Sequence, residues 1–188
     1  GAGGAPSKEE LGNFRSQIAE WVSAFRQDDS IDMNLQIRMY ALQVDVHLRP
    51  EAARLIVTDV LENDITNPAA EDIKDQMKAL LGKWKNVLKS FVQDYSDAGV
   101  AILAAVEDFA VKQMENDAEC SEDPGAKTLP IMAAFPVILM SLFSELELIT
   151  FEAIQKWRAF MEEEEGKIQK ALFQMPLLQR VLSMIQAQ

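Results

Sequence analysis

Apolar residues recur along most of the chain at the spacing of a helix that buries one face. The first such stripe comprises Phe14, Ile18, Trp21, Val22 and Phe25. Further stripes follow Pro50 and Thr150, where proline or a hydroxyl side chain favours the first helical turn. We therefore predict helices in these segments, and no segment gives a convincing strand pattern.

The first half of the chain contains one ambiguous pattern and one strong helix start. The segment from Leu35 to Val46 alternates between apolar and polar residues, which is also typical of a strand. We predict a helix there, because the residues around it are good helix formers. Asn67 and Pro68 form a start signal, with Asn67 as the N-cap. From this signal to Phe91 we predict one helix of about six turns.

The second half contains one long loop and two proline breaks. Residues 115–127 are polar and acidic and include Pro-Gly, so we predict a loop. The next helix should run from about Leu129 to Glu145, with a kink or a split at Pro136. Pro176 should mark the entry to the last helix.

These segments predict an all-α fold of about eight antiparallel helices. Helix pairs recur at roughly 35–45 residues, which favours a HEAT-like α-solenoid, with a closed helical bundle as the alternative. We expect residues 8–188 to form a single domain, preceded at 1–7 by a cloning remnant or a disordered segment.

Charge narrows the range of partners. The chain has 30 acidic and 18 basic residues, which gives a formal net charge of −12. Such a surface repels nucleic acid and anionic membranes and favours a basic partner. The excess is larger in residues 95–188, with seven basic and fifteen acidic side chains, than in residues 1–94, with eleven and fifteen.

The sequence offers little for covalent, metal or membrane chemistry. Cys120 lies among acidic residues, and His47 reads as a packed or surface histidine rather than a general base. No phosphate-binding glycine loop, nucleophile elbow or H-E-x-x-H motif occurs. We expect no cofactor and no metal, although an acid/base pair among thirty carboxylates stays open. The absence of a long apolar run or a secretory signal predicts a cytoplasmic location.

The segment from Leu142 to Trp157 stands out, because carboxylates alternate there with large apolar residues. Glu145, Glu147 and Glu152 could pair with lysine ammonium groups while apolar neighbours contact the lysine stems. On helical spacing, Phe151 and Ile154 read as core residues, and Trp157 fits either the core or a binding surface. A second acidic stretch, Glu162, Glu163, Glu164 and Glu165, follows shortly afterwards.

Leu142–Trp157 resembles the first aromatic and acidic box of the W2 domain of eukaryotic translation initiation factors. Asp97–Phe109, and Trp84 with Val87, Leu88 and Phe91, resemble the helices before that box. The resemblance covers about 80–188 well and 30–65 weakly. Among members, the C-terminal domain of the epsilon subunit of initiation factor 2B is most similar, through Ile37–Tyr40 and Ala171–Gln179.

The resemblance implies a HEAT-like stack that binds initiation factor 2 through the lysine-rich segment of its beta subunit. In epsilon-subunit members it also implies contact with the GTPase subunit and promotion of GDP release, without covalent chemistry. The implied partner-binding residues are Glu145, Glu147, Glu152, Trp157, Glu162, Glu163, Glu164 and Glu165. Asp32 is the candidate for the exchange surface, and other initiation-factor subunits are further expected partners.

Two differences from the family's sequence pattern leave alternative functions open. The family's Leu-Glu pair has no counterpart at Asp32–Leu35, and Val181–Gln188 contains neither the tryptophan nor the acidic run of the family's second box. A W2 or HEAT-type scaffold without exchange activity, of the factor 5 or factor 4 gamma kind, is therefore the second hypothesis. An unrelated helical adaptor is the third.

Overall fold

In the computed structural model, which describes residues 5–93 and 95–188, the chain is all-α. No strand occurs in these ranges. The described helices number eleven: α1 Lys8–Gln27, α2 Ile31–Gln43, α3 Arg49–Asp64, α4 Ile73–Lys83, α5 Lys85–Val92, α6 Ser96–Asn116, α7 Ala118–Glu122, α8 Pro130–Met140, α9 Phe151–Glu163, α10 Lys167–Phe173 and α11 Pro176–Gln186. A 3₁₀ turn, Val46–Leu48, precedes α3, and a π-helical turn, Ser141–Glu145, follows α8.

Several predicted helix starts are confirmed. The segment that could have been a strand is helical as α2, and Pro50 lies in the first turn of α3. The Thr150 hydroxyl caps α9 by accepting a hydrogen bond from the Ala153 amide at 3.1 Å. Pro176 opens α11, as expected from its fixed φ and missing N–H.

The prediction of one long helix from Asn67 to Phe91 is wrong at its start and in its middle. Asn67 accepts a hydrogen bond from the Ala69 amide in a turn, and α4 begins only at Ile73. Trp84 then separates α4 from α5, with ψ near 2° instead of the helical value. Its buried ring packs on Phe25 of α1 at 4.5 Å between centroids, so the break places a core side chain.

The prediction of a loop at residues 115–127 is also wrong in part. Helix α6 continues to Asn116, and Asp117 caps the short α7 by accepting from the Cys120 amide at 3.0 Å. Lys127 closes the segment with an ion pair to Asp117 at 2.9 Å. The Cys120 side chain is buried, which supplies the tertiary contact that sequence polarity did not reveal.

Pro136 neither splits nor ends α8, which runs through it to Met140. The expected helix to Glu145 instead changes at Ser141 to a π-helical turn, in which the Leu146 amide donates to the Ser141 carbonyl at 2.8 Å. Such turns accommodate an extra residue within a helix and are frequent at functional sites.

Helix α6 lies at the centre of the fold and packs against α3, α5, α7, α8, α9 and α10. It approaches α9 closely at Gly99, where an added Cβ would lie 3.3 Å from the Ala153 side chain and 3.4 Å from the Leu148 carbonyl oxygen. Buried residues from all eleven described helices join one continuous core. Of the predicted N-terminal segment, residues 1–4 lie outside the described residues, and Ser7 caps α1.

Candidate protein-binding surfaces

The link between α8 and α9 has an apolar inside and an acidic outside. Leu142, Leu148 and Ile149 are buried, and the amides of Leu148 and Ile149 both donate to the Leu142 carbonyl, at 2.8 and 3.3 Å. These bonds fold the backbone so that Glu145 and Glu147 are exposed. We call Glu145, Glu147 and Glu152 the acidic turn.

Two lysines of the same chain already contact the acidic turn. Glu145 lies 3.5 Å from the Lys78 ammonium of α4 and accepts a hydrogen bond from the Ser141 hydroxyl at 3.2 Å. Glu152 lies 3.6 Å from the Lys156 ammonium. Both are long, exposed pairs of the kind that contributes little to stability, so an incoming lysine can replace them at small cost.

Lys156 has a stronger partner in Asp97. Its ammonium lies 2.9 Å from Asp97 and 3.0 Å from the Ser96 hydroxyl, and this hydrogen bond lowers the pKa of Asp97. Lys156 therefore links the start of α6 to α9 and leaves Glu152 weakly paired. Glu147 makes no ion pair with any described residue, and its backbone has φ of 53°, the left-handed region that non-glycine residues rarely adopt.

Trp157 is part of the core, and this corrects the expectation that it contacts a partner. Its side chain is 2% exposed and packs between Phe135 and Phe173, with ring centroids 5.9 and 5.7 Å away. The indole N–H donates to the Glu107 carboxylate at 3.2 Å. Trp157 thus stabilises the packing of α9 against the core.

Glu107 is the most perturbed carboxyl group in the described part of the chain. Burial raises its pKa to about 7, although the hydrogen bond from Trp157 lowers it. The neighbouring charges of Asp108 and Glu164 raise it further. The group therefore has a pKa near neutrality although it is buried in the core.

The second acidic stretch lies at the other end of α9. Glu162 and Glu163 end the helix, and with Glu165 they are exposed, whereas the half-buried Glu164 accepts from the Gly166 amide at 2.9 Å. Eleven residues separate Glu152 from Glu163, which corresponds to about 16 Å along the axis. The structure therefore keeps the two acidic groups apart, with one face of α9 between them.

Two aromatic residues of α9 are exposed, although the periodicity did not identify them as such. Phe160 is 67% exposed, and Phe151, predicted as core, is 39% exposed, whereas Ile154 is buried as predicted. Phe151 borders a shallow groove between α9 and α11. Helical spacing reveals that these residues share a helix, but not which side of it lacks a neighbour.

Asp32 is exposed in the first turn of α2, after the turn that contains Asp28 and Asp29. Ser30 caps this helix by accepting from the Met33 amide at 3.2 Å. Helix α2, which carries Asp32, packs on α1 and α5, whereas α9 packs on α6 and α10. We call Asp28, Asp29 and Asp32 the acidic corner.

The structure also reveals an apolar surface that the sequence did not indicate. Large apolar side chains of α2 face outward: Ile31, Leu35, Met39 and Leu42, with Val46 just beyond the helix. Ile37 and Ala41 are buried on the inner side. The helix is apolar on both faces, which is why its sequence alternates ambiguously and shows no polar outer face.

The structure places Cys120 and His47, the two residues considered for catalysis, in different environments. Cys120 is buried, which raises the pKa of its thiol, and His47 is exposed. Among residues 5–93 and 95–188, no three His, Cys, Asp or Glu side chains are grouped to hold a metal ion. Within the same ranges, no helix has the length and apolar character that crossing a membrane requires.

The chain matches no protein-family model and no curated protein.

Proposed function

We propose that this chain is a W2-type domain with a HEAT-like arrangement of helix pairs that binds translation initiation factor 2 in the cytoplasm and promotes GDP release. It would act through binding alone, without a cofactor or a covalent intermediate. The all-α fold and the excess of acidic residues are compatible with this role.

The observation that carries the proposal is the acidic turn. Three exposed carboxylates stand on a buried apolar framework, and their intramolecular lysine partners lie 3.5 Å away or farther. A lysine-rich segment of the beta subunit would exchange its ammonium groups for those of Lys78 and Lys156. Phe151, on the same end of α9, offers an apolar contact for a lysine stem.

The exposed carboxylates at the end of α9 would extend this interaction. A flexible lysine-rich segment can span the roughly 16 Å between Glu152 and Glu163 with about five extended residues. Attraction at both ends of the helix would accelerate association and select a basic partner over others.

Promotion of GDP release requires a second contact, with the GTPase subunit, and we assign it to the acidic corner around Asp32. Binding there can shift the GTPase toward its nucleotide-releasing state only if the corner binds that state more tightly. The acidic corner and the acidic turn consist of different residues on different elements, so each contact can be tested by its own variants.

Binding to a synthetic peptide with the beta-subunit lysine-rich segment tests the first contact. The triple variant Glu145→Lys, Glu147→Lys, Glu152→Lys should weaken binding about tenfold or more, since it removes three exposed pairs and introduces repulsion. The triple variant Glu9→Lys, Glu20→Lys, Glu71→Lys makes the same change in net charge at exposed positions elsewhere. An equal loss in both variants would show that net charge alone attracts the peptide and would overturn the assignment of the acidic turn.

A binding scaffold is the second candidate, and the sequence at Asp32–Leu35 favours it because the family's Leu-Glu pair is missing there. A scaffold would bind the lysine-rich segment and leave the rate of GDP release unchanged. Failure to bind the segment at all would instead favour an unrelated helical adaptor.

A further inference from the structure

The apolar surface of α2 borders a groove with its own charge. The groove lies between α2 and α5 and is lined by Leu35, Arg38, Asn86, Lys89 and Ser90, among others. The outward residues Ile31, Leu35, Met39 and Leu42, the α2 stripe, are 87%, 53%, 56% and 69% exposed. So large a set of exposed apolar side chains on one helix indicates an interaction site.

The two charged side chains that line this groove, Arg38 and Lys89, are both basic, whereas the molecule as a whole is acidic. Carboxylates flank α2 at both ends, in the acidic corner and at Asp45. Within residues 5–93 and 95–188, neither Arg38 nor Lys89 forms an ion pair. In a chain of net charge −12, these basic groups make the groove complementary to carboxylates.

The shape of the surface favours a helical occupant. No strand edge is present in the described ranges to extend by strand addition, and none of the groove residues is aromatic, as docking of a proline-rich segment would require. The stripe instead spans about 16 Å along α2, which matches three turns of a helix laid beside it.

A second copy of this chain fits less well. In a two-fold antiparallel packing that pairs Leu35 with Leu42, Asp32 would face Asp45 of the other copy, and the two Arg38 side chains would meet near the axis. Such a dimer would also bring together two molecules of net charge −12.

We propose that the α2 stripe and the adjoining groove bind an amphipathic, acidic helix of another protein. Apolar side chains of that helix at i, i+4, i+7 and i+11 would cover Ile31, Leu35, Met39 and Leu42. Carboxylates flanking its apolar face would pair with Arg38 and Lys89. This inference does not depend on the exchange function and concerns a different partner chemistry from the lysine-rich segment.

Two synthetic helical peptides test the proposal, each with leucine at the four apolar positions and with either glutamate or lysine at the flanking positions. The glutamate peptide should bind about fivefold more tightly, as expected from two exposed ion pairs. General attraction to a chain of net charge −12 would favour the lysine peptide, so this order of affinity is specific to the groove.

Three variants test whether the glutamate peptide binds at the α2 stripe and the adjoining groove. Leu35→Glu should abolish binding of the glutamate peptide with an unchanged thermal midpoint, since Leu35 is exposed. The pair Arg38→Glu and Lys89→Glu should reverse the preference between the peptides. The matched variant Phe160→Glu, at an exposed apolar residue of α9, should bind as the unaltered chain does.

Four results would overturn the proposal. The first two are that neither peptide binds, or that the lysine peptide binds as tightly as the glutamate peptide. The third is a dimer that is detected by sedimentation and dissociated by Leu35→Glu, which would assign the α2 stripe to a second copy. The fourth is binding of the chain to vesicles of phosphatidylcholine and phosphatidylserine. If Leu35→Glu abolished this binding, the α2 stripe would be assigned to a lipid surface. If only the lysine-rich segment fails to bind the acidic turn, the proposed function fails and this inference stands.

Discussion

Trp157 and Phe160 lie on successive turns of α9, yet one side chain is buried and the other is exposed. The difference arises because α6 and α10 cover one side of α9. Trp157 fills space between Phe135 and Phe173 and also satisfies a buried carboxyl group. Its contribution is therefore to stability, whereas Phe160 is available to a partner.

We expect Trp157→Ala to lower the free energy of unfolding by about 3 kcal/mol or more, through a cavity and the loss of the hydrogen bond to Glu107. Phe160→Ala should change it by less than about 0.5 kcal/mol. Urea denaturation of both variants measures the difference. Similar effects of the two substitutions would show that α9 does not pack as described.

Glu107 predicts a dependence of stability on pH. Its pKa is raised to about 7 by burial, above the ordinary value of 4.5, so the folded state retains a proton that the unfolded state has already lost between these pH values. The stabilisation is complete below about pH 4.5 and disappears as the pH rises through about 7. We expect it to amount to about 3 kcal/mol.

Glu107→Gln tests this, because glutamine can still accept from the Trp157 indole but does not titrate. Relative to this variant, the unaltered chain should lose stability between pH 4.5 and 7. Glu115→Gln, at an exposed position of the same helix, is the control and should follow the unaltered chain. Parallel curves for Glu107→Gln and the unaltered chain would mean that Glu107 is already ionised in the folded state.

At the scale of helices, α6 and α9 approach each other closely at Gly99. An added side chain there would meet Ala153 and the Leu148 carbonyl, whereas nothing lies within 4 Å of an added Cβ at Gly12 of α1. Both glycines lie inside helices, so their conformational cost is similar and the difference between them is one of packing.

Gly99→Leu should therefore destabilise the chain by about 1–3 kcal/mol, because it forces α9 away from α6. Gly12→Leu should be neutral or stabilise it by up to about 1 kcal/mol, because leucine is the better helix former. Chemical denaturation compares the two. A stabilising Gly99→Leu would contradict the close approach of these helices.

Helix starts with a local cause could be predicted from sequence, as the Thr150 cap and Pro176 demonstrate. The break at Trp84 and the short α7 could not, because each depends on burying a side chain against distant segments.

The candidate binding surfaces likewise combine features that could be predicted from sequence with features that could not. Carboxylates such as Glu145 could be placed on the surface from sequence, because an unpaired charge is costly to bury. The burial of Trp157 and the exposure of Phe151 depend on which side of α9 has a neighbour, and helical spacing carries no such information. The α2 stripe escaped prediction because apolar residues lie on both faces of that helix.

At the scale of the whole molecule, charge is distributed unevenly. The acidic turn and the exposed carboxylates at the end of α9 contrast with the groove between α2 and α5, whose charged lining residues are both basic. This arrangement predicts different salt dependences for different partners.

Binding of the lysine-rich segment should weaken steeply as salt rises, because the Debye length falls from about 30 Å at 0.01 M to about 8 Å at 0.15 M. An acidic amphipathic helix should lose less affinity, because apolar burial contributes most of its binding. Fluorescence anisotropy titrations at both salt concentrations compare the two. Binding of the lysine-rich segment that is unchanged by salt would contradict the electrostatic role of the acidic turn.

The most direct test of the central claim is the rate of GDP release from purified initiation factor 2, with and without this chain. We expect the chain to accelerate release, and we expect this acceleration to be reduced by Asp32→Ala and by Glu145→Lys and retained in the control variant Glu71→Lys. An unchanged release rate, with the chain present in excess and bound to the factor, would contradict an exchange function and leave a binding scaffold.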